Sequence, residues 1–180
     1  MRLLDFMEGA FGPAHKGGWP MRLVCMALLV LGCSRESADE LFTKGEVATH
    51  QVSSYPEAEV HLKKFLKGYP DDARADVALQ ALARVLLSQG KAEEAIARYE
   101  ELLRRFSDSR YVDQAQFMIG YIYDQNGDYE KARAAYQKVI DLYPQSELID
   151  DSRVSIANLG RPLETWIPYD SSRVDTKQGP

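Results

Sequence analysis

Small and large apolar residues along the middle of the chain recur every 37 positions. Ala58, Ala95 and Ala132 share one register position, Leu62, Tyr99 and Tyr136 a second, and Phe65, Leu102 and Val139 a third. Each set closes on a similar mark: Tyr69-Pro70, Phe106-Ser107 and Tyr143-Pro144. Within a copy the apolar positions advance by three and four, so that Tyr129, Ala132, Tyr136, Val139, Ile140 and Tyr143 fall on one stripe of a helix. A fixed period in this range identifies stacked helical hairpins, because a lone hairpin cannot bury its apolar face.

The copy from Asp113 to Ser146 shows the unit best. Ala115, Ile119, Gly120 and Tyr123 mark a first helix, Asn126-Gly127-Asp128 the break, and Pro144 the end of the second helix. One period earlier, Leu79, Leu82, Ala83 and Leu86 mark the first helix, Gly90 the break, and Ala92 to Phe106 the second helix. The copy before that keeps its second helix, through Tyr55, Ala58, Leu62, Phe65, Leu66 and Tyr69. Its first helix, roughly Ala38 to Val52, is atypical, with Glu46 in the register of Ala83 and Gly120, and Ser53 in place of the glycine. A fourth half-copy, with Ser152, Ile156, Ala157 and Leu159, predicts a lone capping helix that ends near Gly160 and Pro162. Asp71, Asp72, Ser109 and Ser146 are suited to capping, and predict that each first helix starts about one turn early.

Gly120, Tyr123, Ala132, Tyr136 and Pro144 resemble the signature positions of the tetratricopeptide repeat, with Gln116 where that motif often has Trp and an aromatic next door at Phe117. The resemblance implies an all-α, right-handed α-solenoid of about three hairpins plus a C-terminal capping helix, and a role in holding other proteins. The longer period and the Tyr-Pro helix ends resemble two bacterial envelope families, the barrel-assembly lipoprotein BamD (YfiO) and the YbgF-type protein of the Tol-Pal system. This similarity covers about residues 39–160. BamD-type chains usually carry about five repeats, against three and a half here.

Upstream, Leu23 to Leu31 is a nine-residue apolar run behind Arg22, too short to span a bilayer and suited to a signal peptide. Val30-Leu31-Gly32-Cys33 resembles a lipobox, which implies removal of residues 1–32, lipidation of Cys33, and a tether over 33–38. Ser34 after the cysteine resembles lipoproteins sorted to the outer membrane, with the domain facing the periplasm. The start of the chain at Met1 or at Met21, and a soluble adaptor or oligomerisation or chaperone-like module with an uncleaved N-terminus, are the alternatives. Residues 161–180 are read as a flexible tail, polar apart from Leu163, Trp166, Ile167 and Tyr169.

The formal net charge of −5 over 180 residues argues against a nucleic-acid partner, whose phosphates require clustered cations. The two cysteines, Cys25 and Cys33, both lie at the apolar run, which excludes a disulfide framework and a cysteine zinc site. His50 and His61 read as surface histidines, and the pairs Glu93-Glu94 and Glu100-Glu101 as solvated faces. No phosphate loop or nucleophile motif occurs, so no enzyme, cofactor, metal or small-molecule substrate is expected. In tetratricopeptide pairs the first helices line a concave surface, and the register places Gln80, Arg84, Leu87, Phe117, Tyr121, Asp124, Gln125 and Asn158 there. Amide, guanidinium and aromatic groups suit an extended protein or peptide partner.

Overall fold

The computed structural model describes residues 36–161. The calls on the leader, on Cys33 and on the tail from residue 162 onward lie outside the described residues. Among the described residues there are seven α-helices: α1 (Ala38–Ala48), α2 (Tyr55–Gly68), α3 (Ala75–Ser88), α4 (Ala92–Arg105), α5 (Val112–Gln125), α6 (Tyr129–Leu142) and α7 (Ile149–Asn158). They pair as the hairpins α1·α2, α3·α4 and α5·α6, each second helix packs on the next first helix, and α7 closes the row against α6. The all-α solenoid expected from the 37-residue period is the observed fold.

Its core is the register made physical. Ala58, Ala95 and Ala132 are buried, as are Leu62, Tyr99 and Tyr136, and Phe65, Leu102 and Val139. The small positions exist because rings occupy the space beside them. A Cβ on Gly120 would stand 2.7 Å from Tyr136 Cδ1, inside any tolerated contact. Gln116 is buried where a larger ring would be expected, and its Nε2 donates to the Ala135 carbonyl at 3.1 Å, tying α5 to α6.

The turns explain why two hairpins are alike and one differs. Gly90 and Gly127 have φ of 75° and 77°. With these glycines in the left-handed region, the Lys91 and Asp128 N–H groups reach back to the carbonyls of Leu86 and Tyr123 at 2.9 Å, which closes both helices in three residues. Ser53 stands in that register in the first hairpin. There α1 ends at Ala48 rather than near Val52, and the chain crosses to α2 through a 3-10 turn, Val52–Ser54. The longer crossing shifts the close approach by one residue. Gly45, not Glu46, faces Leu62, with a Cβ site 2.9 Å from Leu62 Cδ2, while Glu46 is exposed.

The early helix starts do not occur. The residues capping α3, α5 and α7 are Arg74, Tyr111 and Leu148, with no side-chain cap. Asp72, Ser109 and Ser146 instead accept the N–H two residues on, at 3.0, 3.3 and 3.1 Å, which holds the chain in a turn. The two serines also donate to the preceding repeat, Ser109 to Asp76 and Ser146 to Asp113, both at 2.6 Å. Asp72 has no proton to give, and in the same place the Arg74 guanidinium bridges Asp72 and Asp39, each at 2.8 Å. The Arg74 side chain, with its backbone N–H, holds the Asp72 carboxyl down at about 2. Of the residues read as helix caps, Ser109 and Ser146 are therefore clasps between repeats, Asp72 joins one through Arg74, and Asp71 is exposed.

On the opposite edge Glu59 accepts from Lys63 at 2.7 Å and from Lys91 at 2.6 Å, and Lys63 continues to Glu94 at 3.1 Å. Burial pushes the Glu59 carboxyl up, but the two lysines outweigh it and the net shift is downward.

The capping helix also departs from expectation. Ser152 and Ser155 are its buried residues, whereas Ala157 is exposed. Ala157 holds the register of Gly120, a position that in α5 meets the ring of its own second helix, and no described helix follows α7 to cover it. Ser155 has a clear task, since it is hydrogen-bonded to the Tyr136 hydroxyl. Tyr99 occupies the same register in the preceding hairpin, but the counterpart of Ser155 there is Met118, and the Tyr99 hydroxyl is buried without a hydrogen-bond partner among the described residues. Burial pushes both phenols up to about 12. We expect Tyr136→Phe to cost about 1 kcal/mol, the usual worth of a made hydrogen bond, and Tyr99→Phe to leave stability unchanged or raised. Urea unfolding of the two variants checks this contrast.

Candidate functional site: the face shared by the first helices

Extending the period across α1, α3, α5 and α7 aligns two rows on the first helices: Thr43, Gln80, Phe117 and Val154, and Val47, Arg84, Tyr121 and Asn158. Four of the first-helix residues named from the sequence are tied into the structure. Gln80 is buried, and its Nε2 donates to Gln114 Oε1 at 3.1 Å. Phe117 is half-buried, with its ring 5.1 Å from that of Tyr136. Leu87 is half-buried against the core, and Asn158 turns its amide back to the Val154 carbonyl at 2.8 Å.

The remaining four are more open. Tyr121 is 40% exposed, Gln125 is exposed, and Arg84 is exposed without an ion pair among the described residues. Asp124 is half-buried. Burial pushes its carboxyl up, partly offset by the Gly160 N–H that it accepts. At this point Gly160, with φ of 74°, turns the chain and lies 3.1 Å from the Tyr129 ring by its Cβ site.

The sequence reading missed Val47 and Thr43, because it carried the face no further back than the second copy. Subtracting 37 from Arg84 and Gln80 finds them. Val47 is 63% exposed. Thr43 and Val47 border a cavity of about 620 Å³ in the first hairpin, lined also by Ala48, His50, Gln51, Ser54, Glu57 and His61. The cavity lies at the turn end of the hairpin, where the early end of α1 and the bowed crossing leave room. His61 is not a plain surface histidine: it is half-buried, and its Nδ1 is closed off from solvent with no hydrogen-bond partner among the described residues.

Among the described residues no group of three or more His, Cys, Asp or Glu side chains could hold a metal ion, and no helix is long and apolar enough to cross a membrane. What the described helices present is a row of exposed surfaces along stacked hairpins. Residues 81–147 match the tetratricopeptide repeat family, a stretch that takes in most of α3, all of α4 to α6, and the turn before α7. The described domain is thus a tetratricopeptide-like α-solenoid, with the divergent first hairpin outside the matched span. A comparison with curated proteins gives no match.

Proposed function

We propose that this chain is a non-catalytic adaptor that holds a protein or peptide partner along the face shared by its first helices. One observation carries the reading: Val47, Arg84 and Tyr121 occupy equivalent positions on the successive first helices α1, α3 and α5, are exposed, and are not used by the core. Arg and Tyr are the residue types that most often dominate binding energy. Arg84→Ala and Tyr121→Ala are expected to weaken partner capture by about fivefold to thirtyfold each, in line with interface truncations of about 1–2 kcal/mol, with helicity and unfolding midpoint unchanged. Site-specific crosslinking to the bound partner supplies the check. Crosslinks that come mainly from the outer faces of α2, α4 and α6 would reject the assignment.

Two placements of this adaptor follow from the sequence outside the described domain. A soluble adaptor or oligomerisation module is the better supported, because it rests on the repeats alone. The lipid-anchored form would carry acyl chains on Cys33, sit on the periplasmic side of an outer membrane, and take part in envelope assembly as BamD-like proteins do. It rests on the apolar run and the Val30-Leu31-Gly32-Cys33 pattern. Mass spectrometry of the native N-terminus separates them: an acylated Cys33 supports the anchored form, and an intact leader supports the other.

A further inference from the structure

We propose that the face holds an extended peptide with an aromatic residue at one end, an acidic residue about three positions along, and an apolar residue about three positions further. The inference rests on the adaptor reading and names the chemistry of its partner. Packed helices lie about 8–10 Å apart, and α1 and α3 touch directly. An extended chain advances about 3.3 Å per residue, so crossing from one first helix to the next takes about three residues. The row Val47, Arg84, Tyr121 therefore sets the spacing of the partner's contacts.

The chemistry at each station differs. Arg84 has no ion pair among the described residues and sits between an exposed Val47 and an exposed Tyr121 ring, so a carboxylate is the complementary group at the centre. At the Val47 end the row runs into the cavity of about 620 Å³, a volume typical of small-ligand sites and ample for one aromatic side chain. Val47 and Ala48 give it an apolar side. An aromatic side chain of the partner fills the volume against them. At the far end the Tyr121 ring offers a flat apolar contact.

The test uses the full chain and fluorescence polarisation with the blocked, labelled peptide Tyr-Gly-Ser-Glu-Gly-Ser-Leu and its Glu→Lys and Tyr→Gly analogues. The wild type is expected to bind the Glu peptide at least fivefold more tightly than the Lys analogue, and Arg84→Glu is expected to reverse that order. Val47→Ser is expected to weaken the preference for Tyr over Gly while leaving the Glu preference in place. Circular dichroism confirms that both variants keep their helices. An unchanged peptide order in Arg84→Glu, or no binding to any of the peptides, overturns the inference. Selection from a random peptide library on the same chain distinguishes the two levels. Enrichment of another spacing or charge rejects this partner chemistry and leaves the adaptor standing, and no enrichment counts against both.

Discussion

Tyr99→Ala is expected to remove about 4 kcal/mol of stability, the scale of aromatic truncations in closed cores. Tyr99 is fully buried on α4 and shares its register with Leu62 and Tyr136, so its ring fills the join of the central hairpin. Domains of this size hold about 5–15 kcal/mol in total, which makes the loss a large part of what keeps the fold together. The hydroxyl has no part in this, since it has no hydrogen-bond partner among the described residues. Urea titration followed by circular dichroism is expected to show a midpoint sharply lowered for Tyr99→Ala and held or raised for Tyr99→Phe. If the two variants unfold together, the ring does not join the hairpins in the way described.

The second large effect is complete loss of structure when one hairpin is cut free. A peptide of residues 112–144 keeps α5 and α6 intact, each 14 residues long. Helices of that length are marginal in water, and chains below about 40 residues rarely fold without a staple. The cut also removes specific partners: Ser146, which clasps Asp113, Ser155, which meets the Tyr136 hydroxyl, and the α4 and α7 surfaces that cover α5 and α6. Gly120 adds to the burden, because a glycine inside a helix weakens it by about 1 kcal/mol relative to alanine. In the intact domain the close packing of Tyr136 offsets that cost, and in a free peptide nothing does.

Most of the fold was legible because the burial demands of the core repeat with the period. The positions at 58, 95 and 132, and at 62, 99 and 136, each need one kind of side chain for one packing reason, so the residues announce the helix faces. What escaped were effects that depend on a partner in space. Ser109 and Ser146 carry the local signature of a helix cap, and only the fold shows their hydroxyls reaching Asp76 and Asp113 instead. The loss of glycine at Ser53 was visible, but not its consequence: an early end to α1, a bowed crossing, and Gly45 in place of Glu46 at the contact with Leu62. The candidate face was legible as a register. Whether a side chain on it was free required the structure, which commits Gln80 to Gln114 and leaves Arg84 without an ion pair among the described residues. The cavity beside His61 had no signal in the sequence beyond the missing glycine.

The dependence of each hairpin on its neighbours is tested most directly by far-ultraviolet circular dichroism of the 112–144 peptide beside the full chain, over the same urea series. The full chain should be strongly helical and unfold in one cooperative transition. The peptide should show little helix and no transition. A peptide that keeps native helicity and melts cooperatively by itself would contradict the account.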